Sequence, residues 1–116
     1  GNHVIKTLGL LTRKPHLTHE QFVAHWFDIH GPLARAVPGV RRYVQSHIVG
    51  TRTRPDIPET QVEIDGIAEM WFDDAETMRR AAASPEMKTL TDDGALFIGQ
   101  IKSFVIDERE IIPGKG

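Results

Sequence analysis

The strongest constraint on this chain is the order in which strand-like and helix-like periodicities alternate along it. Residues 4–12, 40–49, 64–72 and 101–112 are apolar runs of strand length, the second opened by Pro38-Gly39. A helix with a marked start lies between the first two. Thr18 is its N-cap, Gln21 completes a capping box, and Leu17 and Phe22 stand where a hydrophobic staple forms. Phe22, Trp26, Ile29 and Leu33 fall within about 60° of one another on a helical wheel and form the expected buried stripe. Pro32 disfavours helical geometry at Gly31, so a break or tightened turn is expected there. Asp73 or Asp74 caps a second helix with Met78 and Ala82 inward, Ser84-Pro85 ends it, and Pro85 begins another short one.

The resulting βαββαβ order is the split βαβ pattern of ferredoxin-like folds, an α+β architecture with a four-stranded antiparallel sheet and helices on one face. The 116 residues make one domain, 1–116, with a long loop at about 50–63 and a flexible tail at about 113–116. Hydrophobic residues at 40% and charged residues at 26% suit a globular chain, not a disordered one. A formal net charge of -2 gives no electrostatic basis for binding nucleic acid or an anionic membrane. Without cysteine there is no disulfide, thiolate metal site or thiol nucleophile. No apolar run approaches the roughly 20 residues of a bilayer span. Gly1-Asn2-His3 lacks the basic and apolar regions of a signal peptide, and the cytoplasm is the expected compartment.

Alternation along the second strand puts Arg41, Tyr43, Gln45 and His47 on one face, and along the third it groups Ile67, Glu69 and Trp71. If the apolar faces lie under the helices, Tyr43, His47, Glu69 and Trp71 share the opposite face. Trp71 argues against leaving that face open to water, and a second sheet closing over it would enclose a partly polar cavity. The alternative is a solvated antiparallel face with one stray tryptophan.

Glu20-Gln21-Phe22-Val23-Ala24-His25-Trp26 followed by His30-Gly31-Pro32-Leu33-Ala34 resembles the helix signature of EthD-like proteins. Val37-Pro38-Gly39-Val40-Arg41-Arg42-Tyr43-Val44-Gln45 and Asp65-Gly66-Ile67-Ala68-Glu69-Met70-Trp71-Phe72 extend the likeness over nearly the whole chain. The resemblance implies a homodimeric α/β barrel, its two sheets facing each other across a lumen that holds a small-molecule ligand. It also implies isomerase, dehydratase or lyase chemistry on small cyclic or aromatic compounds.

His30, His47 and Glu69 are the acid/base candidates. His30 lies at the border of the helical stripe near the expected break, where the helix dipole would favour its protonated form. Its alternative role is structural, capping a backbone carbonyl. His47 points with Tyr43 toward the expected lumen, and the plainer alternative is a surface histidine. Glu69 either has a raised pKa and acts as a base or pairs with Arg41. Tyr43 and Trp71 offer flat surfaces to a ligand, and Trp26 and Gln45 complete the substrate-binding set.

On a regular helix His25 and His30 lie about 140° apart and cannot chelate one metal. His16 and His19 are expected in solvent, so no metal site is expected. The chain has no dinucleotide or phosphate loop and no nucleophile elbow, and no cofactor is expected. The leading expectation is therefore a cofactor-free acid/base enzyme. The alternatives are a non-catalytic ligand-binding or stress-response barrel, and a haem-binding barrel with a histidine axial ligand.

Overall fold

The computed structural model describes residues 3–115; the start at Gly1-Asn2 and the end of the tail at Gly116 lie outside the described residues. The elements are β1 (Ile5–Arg13), α1 (His19–His25), a π-helical turn (Trp26–His30), α2 (Gly31–Arg35), β2 (Val40–His47), β3 (Gly66–Phe72), α3 (Ala75–Ala82), α4 (Pro85–Phe97) and β4 (Ile98–Ile106). The four strands form one antiparallel sheet in the order β2-β3-β1-β4. The expected α+β order therefore stands. Its last strand moves, because the helix begun by Pro85 runs for 13 residues and passes directly into β4.

The first helix forms where its capping chemistry places it. The Thr18 side chain accepts from the Gln21 backbone N–H, and Gln21 reaches back to the Thr18 N–H at 2.9 Å. Near Gly31 the expected tightened turn is instead a widened one. Pro32 has no N–H to donate back along the helix, and the Gly31 N–H bonds to Trp26 O in the i→i+5 pattern. The extra residue in that turn resets the phase of the buried face. Phe22, Trp26, His30 and Ala34 now point inward at every fourth position, while Ile29 is 51% exposed. The expected stripe is corrected at Ile29, which gives way to His30.

Two clusters fill the space between helices and sheet. Ala34, Val37, Phe72, Ala81 and Leu90 form one, and Leu11, Phe22, Trp26 and Phe97 the other. Asp74 is the cap of α3, accepting from Thr77 N at 2.7 Å. Ala81 is its buried alanine, and Ala82, expected inward, is exposed. Asp65 ties the end of β1 to the start of β3 and to the first helix. It accepts from Arg13 N and pairs with the Arg13 guanidinium and His19, each at 2.8 Å. His19 is thus a bonded residue and not the solvent histidine expected. Burial pushes the Asp65 carboxyl up, but these donors together outweigh it and hold the group below the ordinary carboxylate range.

Trp26 is fully buried, and the absence of a side chain at Gly66 makes room for it. A Cβ there would overlap the six-membered ring of the indole and lie 3.2 Å from Ser46 O. Neither neighbour can yield without moving core or sheet. Gly66→Ala is therefore expected to lower stability by about 1–3 kcal/mol. At Gly50 an added Cβ meets nothing within 4 Å, and Gly50→Ala is not expected to lower stability. Urea unfolding midpoints check the pair; equal midpoints would mean that Trp26 does not need the glycine.

Candidate active site on the helix side of the second strand

Strand pairing decides which side chains meet. Tyr43 lies opposite Met70, Gln45 opposite Ala68 and His47 opposite Gly66, all on the face that carries Phe72 under the helices. Glu69 and Trp71 lie opposite Val44 and Arg42 on the other, open face. The expectation that Tyr43, His47, Glu69 and Trp71 share one face is thereby corrected. The second strand is at the sheet edge, and its polar set lies beneath the helix, where a backbone carbonyl of the widened turn accepts a second donor from it.

That carbonyl is Trp26 O. Besides the Gly31 N–H it accepts from Gln45 Nε2 at 2.7 Å. The same Gln45 nitrogen donates to the Tyr43 hydroxyl oxygen at 3.0 Å, and Gln45 Oε1 lies 3.0 Å from His47 Nε2. These bonds fix the protons. Trp26 O can only accept, so the glutamine's NH₂ faces it and its oxygen faces the histidine. The neutral His47 ring must then carry its proton on Nε2, leaving the lone pair on Nδ1. Tyr43 accepts from Gln45, so its own O–H is free to donate. The Trp26 ring stacks on the His47 ring at 4.7 Å with an interplanar angle of 22°, and Phe27 meets it edge-on at 6.0 Å.

Tyr43, Gln45 and His47 line a cleft of about 660 Å³ between the π-helical turn, α2 and β2, with Phe27, Pro32 and Val40 among its apolar walls, whereas Trp26, expected to bind substrate, is fully buried behind them. That volume is within the usual range for a small-molecule site, about 300–1,000 Å³. Burial, and to a lesser extent the charge of His19, lowers the His47 pKa. Burial raises that of Tyr43, opposed in part by Gln45 and by the nearby Trp26. The Trp26 indole N–H favours the phenolate from a distance but has no partner in hydrogen-bond geometry among the described residues. The cleft thus holds a neutral imidazole and a protonated phenol at neutral pH.

The remaining candidates lie elsewhere. His30 is buried between the first helix and α4, where Nδ1 bonds Asp93 at 2.8 Å and the ring meets Phe97 edge-on at 5.1 Å. Burial lowers its pKa, the Asp93 carboxylate opposing and His25 adding to the effect. The protonated form expected from the helix dipole is therefore the disfavoured one, since the helix continues past His30 instead of ending there. His25 reaches the same carboxylate at 3.0 Å. A spacing of five separates two side chains on a regular helix but brings them together across a π turn. Among the described residues no group of three or more His, Cys, Asp or Glu side chains is placed to hold a metal.

On the open face Glu69 pairs with Lys6, and Arg41 pairs with Asp73 at 3.2 Å. The expected Glu69–Arg41 pair is not formed. Lys6 also reaches Glu108 at 2.8 Å, and Trp71 Nε1 donates to Glu108 at 2.9 Å. The Lys6 ammonium and the Arg42 guanidinium each lie 4.6 Å from the Trp71 ring centroid. Glu69 and Trp71 belong to this network and do not border the cleft. Asp93, Lys6 and Glu108 escaped the sequence reading. Only Lys6, a charge inside an apolar strand, leaves a trace there.

Among the described residues no helix is long and apolar enough to cross a membrane. Residues 14–101 match the EthD domain. The chain is 32% identical over 106 residues to a 4-carboxymethyl-4-methylbutenolide mutase from Pseudomonas reinekei, covering 90% of this chain and 98% of that protein. It superposes on an EthD family protein from Bacillus halodurans with a TM-score of 0.74 and 27% identity, covering 92% of this chain and all of the other. A dimeric ferredoxin-like protein of unknown function from Thermobifida fusca gives a TM-score of 0.65 at 14% identity, covering 90% of this chain and 91% of the other. With its ferredoxin-like sheet and a family match across most of its length, the chain belongs to the EthD family.

Proposed function

We propose that this protein is a small-molecule isomerase working by cofactor-free proton transfer in the cleft beside β2. The observation that carries the reading is the chain Trp26 O–Gln45–His47, which places the proton of the neutral imidazole on Nε2 and its lone pair on Nδ1. His47 Nδ1 takes a proton from a carbon next to a substrate carbonyl. The free Tyr43 O–H donates to the oxygen on which negative charge then develops, and the imidazolium returns the proton to a different carbon. Atoms and charge balance with no further reactant. Gln45 serves as the positioning residue for both groups, and the stacked Trp26 holds the plane of the imidazole. The likeness to a mutase of a methylbutenolide supports an isomerisation on a small lactone.

Hydrogen–deuterium exchange tests this directly. Incubated in D₂O with 4-carboxymethyl-4-methylbutenolide and related lactones, the protein is expected to introduce deuterium into one of them, followed by proton NMR. His47→Ala is expected to slow the exchange by about 10²–10⁴-fold. The His47 pKa lies below the ordinary value of about 6.5. The base is accordingly neutral above that pH, and kcat/KM is expected to hold through pH 6.5 and fall only below it. No exchange with any lactone, or an unchanged rate in a folded His47→Ala variant, would overturn the assignment.

We also propose that two copies associate through the open face of the sheet. The Cα radius of gyration is 15.5 Å, against about 13 Å for a compact domain of 100 residues. The excess fits the segments outside the strands: residues 49–63 and 107–115 are exposed throughout, with Glu108 turned back onto the open face. Phe104, opposite Leu8 on the open face, is 42% exposed, and a second sheet would cover it. The dimeric state described for the Thermobifida protein fits this arrangement. Sedimentation equilibrium is expected to give twice the chain mass, and Phe104→Asp to shift the equilibrium toward the single chain. A wild-type protein sedimenting as one chain would refute the association.

A further inference from the structure

We propose that the ligand of this cleft is a small organic anion with an apolar body, its carboxylate anchored by Arg35; the proposal rests on reading the cleft as the active site. The whole chain carries 14 Lys and Arg against 16 Asp and Glu, a slight negative excess. The cleft reverses that balance. Its lining includes the guanidinium residues Arg35, Arg41 and Arg42 and a single carboxylate, Asp28. A concave site with an excess of one sign of charge raises the local concentration of the opposite ion.

The three arginines are not equivalent. Arg41 lies 3.2 Å from Asp73, and the Arg42 guanidinium sits over the Trp71 ring at 4.6 Å. Arg35 has no carboxylate partner among the described residues. It is the last residue of α2, the helix that forms the wall facing Tyr43, Gln45 and His47. Binding an anion there breaks no existing ion pair. A guanidinium also offers a carboxylate two parallel N–H donors, which fixes orientation as well as position. Phe27, Pro32 and Val40 would meet the apolar part of the same molecule.

Phenylacetate and phenylacetamide make a matched pair of probes, alike in shape and different in charge. Titrations followed by amide chemical shifts of residues 31–47 are expected to show saturable binding of the acid, with the amide at least tenfold weaker. Arg35→Ala is expected to weaken the acid by about 10–100-fold, the range of a charge-assisted hydrogen bond, and leave the amide unchanged. Arg35→Lys should keep part of the preference. Absence of binding by the acid, equal affinity for acid and amide, or a preference that survives Arg35→Ala would each overturn the proposal. Binding is read here without turnover. A protein that prefers the acid yet introduces no deuterium into any lactone would remove the catalytic reading and leave the anion site standing.

Discussion

The backbone carbonyl of Trp26 is the point on which both the fold of the first helix and the chemistry of the cleft depend. Pro32 leaves the helix one N–H short, and the chain answers by letting Gly31 bond across five residues. A π turn presents its carbonyl less completely to the helix interior, and Gln45 supplies the second donor from the neighbouring strand. Each partner depends on the other. The carbonyl fixes which way the glutamine amide points, and the amide fixes where the His47 proton sits. The same widened turn brings His30 inward to Asp93 and turns Ile29 out.

The sheet separates two polar systems that differ in how completely they are satisfied. On the open face Lys6, though buried, meets two carboxylates and the face of Trp71, and Trp71 in turn bonds Glu108. Burial pulls the Lys6 pKa down, but Glu108 and Glu69 together overcome it and hold the ammonium charged. Such a network has its charges matched within the chain, which suits a structural role. Beneath the helices the balance is different. His47 Nδ1 and the Tyr43 O–H each retain one unused hydrogen-bonding function, and both belong to the cleft. Unspent polar capacity marks that side as the place where a ligand would add something.

The order of elements was legible because it rests on local chemistry: the Thr18 capping box, a cap at Asp73 or Asp74, the break at Ser84-Pro85, and four β-rich runs. The identities of Tyr43, Gln45 and His47 as a set were also legible, since they alternate on one strand. Which face they occupy was not. Alternation gives each strand two faces but does not relate the faces of one strand to those of the next; only the pairing of Tyr43 with Met70 does that. The apolar rule then misled, because the helix above β2 offers, beside its apolar stripe, the Trp26 carbonyl, which takes a second donor from Gln45. His30 and Asp93, 63 positions apart, meet through the fold and a turn whose period no regular wheel describes.

Burial acts on His47 and Tyr43 in opposite senses with the same physical cause. Each is kept in its neutral form, which makes one a base and the other a donor at the same pH. An imidazole with a lowered pKa is nevertheless a weaker base, and proton transfer to it becomes harder as that pKa falls. An anionic ligand alters that balance. A carboxylate held at Arg35 brings negative charge into the cleft and favours the imidazolium, raising the His47 pKa toward the range where it takes a proton most readily. In the proposed reaction His47 would be neutral before the ligand binds, and the ligand's own charge would then stabilise the proton that His47 takes up. Arg35 would then do more than hold a ligand, since by seating the anion it would set the basicity of the group proposed to act on it.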